Sequence, residues 1–222
     1  MLLAAGALTA LAFAALPAVA SAQEYTATCS AVPCVGTVQS TGHALLTDDS
    51  GLGITCLTTT GTVTQAASPS STVSVALTFD GCKDTVFGFE CNNEGAGTGK
   101  ILANTLTGHI INVGSAAQTL PGILLTGANT TFVCPALGIE RTVTGNIIGT
   151  FENPTTQACK AAQTHHTITF ESAGTGIQKH KTYTGVTHNL TSGPHASDKT
   201  ESSQFGTAHI NYGGGKTVSI NC

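Results

Sequence analysis

The stretch Thr72-Val73-Ser74-Val75-Ala76-Leu77-Thr78-Phe79 decides the fold class. Val73, Val75, Leu77 and Phe79 occupy every second position, and the residues between them are small or polar. A period of two sends alternate side chains to opposite faces, so this segment predicts a strand with one buried face. Arg141 to Phe151 repeats the pattern: Val143, Ile147 and Phe151 point one way, with Gly145 and Gly149 between them, and Thr142, Thr144, Asn146 and Thr150 point the other. Val218 and Ile220, with Cys222, close the chain in the same manner.

Working outward, further strands are expected at 53–60, 100–103, 107–113, 123–126, 130–134, 165–170, 177–187 and 207–212. Gly, Asn, Ser or Pro separates most of them, as meander and hairpin turns require. No segment beyond residue 22 carries the i, i+3, i+4 apolar spacing of an amphipathic helix. Thr, about one residue in six, suits strands and keeps an outer face wet without charge. The fold class expected is all-β, an antiparallel sandwich or barrel with meander connections. The loop from Thr191 to Ser203, with Gly193-Pro194, is expected to be a mobile excursion. Asn153-Pro154-Thr155-Thr156 marks a candidate subdivision within an otherwise single domain over 23–222.

Residues 1–22 read as a signal peptide. Leu2 to Val19 is almost unbroken Leu, Ala and Phe, and Ala20-Ser21-Ala22 supplies the small-x-small cleavage pattern before Gln23. No Lys or Arg precedes the apolar run, a departure from the usual basic start. The run is short for a transmembrane helix, so no membrane span is expected in the mature chain. Cys29 lacks a lipoprotein-type motif before it, and Lys216 to Cys222 has no apolar tail for an anchor. The location expected is extracellular, with cell-wall contact or self-association through sparsely Lys-guarded strand edges as candidate partnerships.

Eight cysteines lie beyond the leader: Cys29, Cys34, Cys56, Cys82, Cys91, Cys134, Cys159 and Cys222. Their spacing makes no zinc knuckle, so four disulfides in an oxidising compartment are expected. Cys56 and Cys82 sit symmetrically about Pro69 in the turn-rich Ala67-Ser68-Pro69-Ser70-Ser71, which would place them opposite one another across a hairpin. Cys82 with Cys91 is the competing pair.

Charged residues are 9% of the 222, against about 25% in an ordinary globular protein, and the net charge is −4. No basic patch is available to neutralise several phosphates, which argues against nucleic-acid binding. Asp48-Asp49-Ser50-Gly51, shortly after His43, superficially resembles the nucleophile segment of trypsin-like proteases, but Asp-Asp-Ser-Gly is an ordinary turn. No G-x-S-x-G elbow occurs. The 12 acidic residues, Asp80 and Asp84 among them, show no paired carboxylates for glycoside hydrolysis. With Trp absent and three Tyr, sugar-stacking platforms are scarce, and only Asp48-Asp49 cluster where a calcium loop wants more. Asn129-Thr130-Thr131 and Asn189-Leu190-Thr191 are sequons, relevant only to a eukaryotic secretory route.

Histidine is the enriched functional side chain, six of eight lying after residue 160: His165, His166, His180, His188, His195 and His209. If strands align them, His165, His180 and His209 fall on outward faces with Thr167, Gln178, Thr182 and Asn211, a weak candidate site for zinc or copper. His165 and His166 would face opposite ways.

From Cys91 to about Gly185 the chain resembles a group of exported proteins of high-GC Gram-positive bacteria. The residues that carry the resemblance are Gly99-Lys100-Ile101, Leu106-Thr107-Gly108-His109, a strand ending at Leu125, Phe132-Val133-Cys134, Val143-Thr144-Gly145-Asn146-Ile147-Ile148-Gly149, Pro154, Phe170 and Gln178. The resemblance implies an exported β fold and supplies no catalytic residue. The function expected is therefore a non-enzymatic structural or interaction role, without cofactor. A histidine-based metal binder and a hydrolase assembled from scattered residues are the alternatives.

Overall fold

The computed structural model describes residues 23–113, 120–151, 159, 161–194 and 198–222. The signal-peptide reading, the candidate boundary at 153–156 and His195 lie outside the described residues. Seventeen strands are described: β1 (Thr26–Cys29), β2 (Cys34–Ser40), β3 (Ala44–Asp48), β4 (Gly53–Cys56), β5 (Thr58–Gln65), β6 (Thr72–Asp80), β7 (Lys83–Asp84), β8 (Lys100–Leu102), β9 (Leu106–Asn112), β10 (Pro121–Cys134), β11 (Ile139–Phe151), β12 (His165–Phe170), β13 (Ser172–Gly174), β14 (Ile177–Gln178), β15 (Leu190–Gly193), β16 (Thr200–Tyr212) and β17 (Val218–Asn221). One 3₁₀ turn, Pro135–Leu137, joins β10 to β11. The chain is all-β, antiparallel and disulfide-stabilised.

The alternation that marks 72–79 builds the central hairpin. β5 and β6 pair from Thr58↔Asp80 to Thr64↔Ser74, which sets Cys56 and Cys82 beside each other just beyond the ladder. They are disulfide-bonded, and the competing Cys82–Cys91 pair does not form. Closing a loop of this length contributes on the order of 3 kcal/mol. The other bonds are Cys29–Cys34, Cys91–Cys134 and Cys159–Cys222.

Pairing continues from β6 to β9, β10, β11 and β12, and in the other direction from β5 to β2 and β16. β12 also pairs β16 over His165↔Asn211 to Phe170↔Gly206, so the path returns to its start as a ring of eight strands. β16 is long enough to serve two neighbours on each flank: β15 and then β12 on one, β3 and then β2 on the other. β11 makes the same switch, from β15 at 142–145 to β12 at 150–151. The two segments expected at 123–126 and 130–134 are a single strand, β10, with a register shift between Leu125 and Ala128. Gly127 sits in that bulge at φ 81°, a left-handed conformation that glycine adopts without Cβ strain.

The inward faces meet in one core that includes Val63, Val73, Val75, Ile123, Ile147, Ile168 and Ile210. A second, smaller core forms on the outer side of β9–β11. Ile148 is 0% exposed there, packed with Ile111, Val113 and Leu124. The segment after β14 runs beside this patch: Val113 bridges Thr182, and Tyr183 N donates to Asn112 O.

Four expectations need correction. The single strand expected at 53–60 is two, β4 and the start of β5, parted at Leu57 because β4 pairs β3 while β5 pairs β2 and β6. The segment 177–187 is a strand only at Ile177–Gln178, followed by isolated bridges, because it lies against the ring rather than within it. Gln178 and Thr182, expected on an outward face, are each 1% exposed for the same reason. The polar stretch 191–203 is not a plain loop. Leu190–Gly193 and the first residues of β16 pair with each other, with the Ser192 and Ser202 hydroxyls 2.6 Å apart in a buried contact. The sequence also gave no warning of β1, β2 and β3, whose apolar positions are diluted by Thr, Gly and Gln.

His165 is exposed and His166 buried, as alternation requires. His166 Nε2 lies 3.2 Å from Val218 O, and its ring meets Phe151 and Tyr212 edge-on. Burial pushes the His166 imidazole below its ordinary value, and burial does the same to His188. The unfolded chain therefore takes up these protons first. The stability contributed by the neutral rings is whole above the unfolded histidine value of about 6.5 and is lost as pH falls below it. Urea unfolding should show a lower stability at pH 5.5 than at 7.5, and His166→Phe should reduce that difference, leaving the part due to His188. An unchanged difference in the variant would contradict this assignment.

Candidate functional site

Four segments converge at one end of the ring. They are the β3–β4 turn, the loop after β7, the 3₁₀ turn and the start of β11. Between them lies a cavity of about 320 Å³ whose walls include Leu52, Val86, Phe87, Leu137 and Ile139, with Asp48, Asp84 and Arg141 also on its lining. That volume and that mixture, mainly apolar with a few polar groups, are those of a small-molecule or side-chain pocket.

Asp48 makes the β3–β4 turn. It is 4% exposed, and its Oδ1 accepts from Ser50 N, Ser50 Oγ and Leu52 N at 3.0, 2.6 and 3.0 Å. Its Oδ2 accepts from Arg141 Nη1 at 2.7 Å. Burial alone would raise this carboxyl. The Ser50 hydroxyl, the Arg141 guanidinium and the Leu52 amide outweigh burial and hold it below the usual carboxylate range. The Asp-Asp-Ser-Gly segment is thus a turn, and His43 lies at the opposite end of β3 from Ser50.

Asp84 does the same for the loop beyond it. Its Oδ1 accepts from Val86 N and Phe87 N at 3.0 and 2.7 Å, and its Oδ2 from Phe89 N at 2.6 Å. Burial again opposes, and the Phe87, Phe89, Val86 and Gly88 amides prevail, so this carboxyl is also held low. Cys82 and Cys91 pin the two ends of the loop to Cys56 and Cys134, and Cys91 N donates to Cys82 O. Phe87, 67% exposed, therefore stands on a fixed base, with the Phe89 ring stacked 6.2 Å away.

The pocket thus holds two carboxylates, the arrangement that could support a hydrolase. General-acid work needs one of the pair raised toward neutrality. Here both are lowered and saturated with donors, which makes them fasteners of the two rims.

The histidines expected to act together are not assembled. His165 and His209 share one exposed face across β12–β16, where Thr167 Oγ1 lies 2.8 Å from His209 Nδ1. His180 is elsewhere, 2.8 Å from Glu171 Oε2, and Lys179 Nζ takes the other oxygen of that carboxylate. Among the described residues no three His, Cys, Asp or Glu are grouped to hold a metal ion. Sequence reasoning missed the pocket. Its signal was Asp84-x-Val86-Phe87-Gly88-Phe89 between two cysteines, an acid followed by apolar residues with no alternation.

Asp84→Ala should lower global stability by about 2 kcal/mol, since a charge-assisted acceptor is lost. Amide exchange at Val86, Phe87 and Phe89 should accelerate at least tenfold while the β5–β6 amides keep their relative protection. Unchanged exchange in the loop would remove Asp84 as its organiser.

No family model, curated protein or solved structure matches the chain.

Proposed function

We propose that the protein is an exported, non-enzymatic binding protein that takes an apolar group of a larger partner molecule, of the size of an aromatic ring or a short acyl chain, into the pocket walled by Leu52, Val86, Phe87, Leu137 and Ile139. The observation that carries this reading is the Val86–Phe89 loop. Apolar side chains facing water on a flexible loop would fold inward, but here two disulfides and the Asp84 carboxylate fix them outward beside a cavity. Fixed, exposed aromatics next to a pocket are the pattern of binding surfaces, because the cost of ordering is met before the partner arrives.

A place outside the cytoplasm is supported by the four disulfides and by the apolar leader pattern of residues 2–22. No helix among the described residues is long and apolar enough to cross a membrane. The resemblance to exported proteins of high-GC Gram-positive bacteria agrees with this placement.

The dye 8-anilinonaphthalene-1-sulfonate serves as an apolar probe with a charged group that stays in water. One saturable site is expected on the folded protein. Ile139→Asp and Phe87→Ser should each weaken it, the former at least tenfold, without a fall in melting temperature that signals misfolding. Absence of dye binding, or binding indifferent to both substitutions, would refute the reading.

A further inference from the structure

The inside of the ring is not filled by its side chains. Two adjoining chambers, of about 50 and 100 Å³, lie between its inner faces and share Ala44, Leu77, Leu125, Phe170 and Gln204 as walls. Packed interiors rarely leave voids larger than a water molecule. A water needs about 10–15 Å³ together with two to four polar partners. The larger chamber has the room but few partners: Phe79, Ile101, Phe132 and Ile147 are among its walls, and its polar side chains are Gln204 and Thr130, whose hydroxyl is already bonded to Asn104 Oδ1. Apolar cavities of this order, about 150 Å³, stay dry and admit benzene-sized solutes.

One polar atom is left over. Thr59 lies on the inner face of β5, is 6% exposed and lines the smaller chamber. Its backbone N–H donates to Ser40 Oγ at 2.8 Å, but its own hydroxyl is buried with no hydrogen-bond partner. A buried hydroxyl without a partner is costly unless something brings one. No carboxylate, lysine or arginine lines either chamber, and His43 is the one titratable side chain on their walls. Closing eight strands into a ring gives an interior that either fills with side chains or holds one small ligand.

We propose that this interior is a second binding site, distinct from the rim pocket, for a neutral molecule of about six to ten non-hydrogen atoms with one hydrogen-bonding group, its apolar body in the larger chamber and its polar end on the Thr59 hydroxyl. Leu46, Ile54 and Phe132 belong both to the larger chamber and to the rim pocket, so they form the partition through which such a molecule enters.

Methyl-detected NMR of the mature protein, titrated separately with benzyl alcohol and toluene, tests this. Saturable shifts are expected at Val75, Leu77 and Leu125, with benzyl alcohol bound about fivefold more tightly than toluene, the worth of one neutral hydrogen bond. Thr59→Val should erase that preference and leave toluene binding in place. Ala128→Leu, which fills the larger chamber, should weaken both ligands at least tenfold. If Ala128→Leu does not fold, the wild type and Thr59→Val decide. No saturable shift at Leu77 and Leu125, shifts confined to Leu137 and Ile139 at the rim, or an undiminished preference in Thr59→Val would each overturn the proposal. Dye binding at the rim is scored on other residues, so either site can fail without the other.

Discussion

The fold depends on β16 holding two different strands on each of its flanks. Its lower half, Ser202 to Phe205, pairs β3, and its upper half, Ala208 to Tyr212, pairs β2. On the other flank β15 gives way to β12 in the same fashion. Ring closure follows from this, because β12 and β15, one after the other, bridge β16 to β11. Without the 13-residue run of β16, each of these short strands would present an unpaired edge, and in a chain with so few charges nothing would guard it.

Closure in turn fixes where polar groups go. At one end the interior is stopped by His166, held by Val218 O and by the Phe151 and Tyr212 rings. At the other end stands the Asp48–Arg141 pair. An isolated ion pair in such a place contributes little net stability against an apolar alternative. Its geometric role is clearer: Arg141 at the start of β11 is tied to the β3–β4 turn, which lies on the far side of the pocket. The same carboxylate fixes Ser50 and Leu52, so one residue sets both walls.

How far this could be read in advance depended on where each element buries its side chains. β6 was readable because one face meets the core and the other meets water, which gives clean alternation, and the hairpin turn at Pro69 places Cys56 opposite Cys82; β5, whose inner positions are Thr59, Gly61, Val63 and Gln65, was legible only at its first residues. β15 and the start of β16 were not, since Ser192, Ser202 and Ser203 are buried with hydroxyls satisfied by one another or by neighbours, and buried serine looks like solvated serine in a sequence. Gln178 and Thr182 misled in the same way. Ile148 sits on the face that alternation assigns to solvent, because a later segment covers it. The Asp84 loop was invisible for a different reason: its order comes from a carboxylate bonding backbone amides, which leaves no periodic trace.

The outer surface explains why the recognition we propose rests on apolar contact. Thr131 faces Thr142, Thr144 faces Thr191 and Thr169 faces Thr207, hydroxyl to hydroxyl at 2.8 to 3.1 Å. Such ladders satisfy themselves and offer a partner little that water does not already provide. With a net charge of −4 spread over a sparsely charged chain, long-range steering is weak and association is left to short-range fit. On that neutral surface, the rigid Val86-Phe87-Gly88-Phe89 loop is a place where removing water yields a hydrophobic gain, about 25 cal/mol for each Å² of apolar area covered. The charges on the pocket lining, Asp48, Asp84 and Arg141, are already committed, Asp48 to Arg141 and Asp84 to the backbone that shapes the rim, which leaves apolar contact as what the proposed partner can gain inside it.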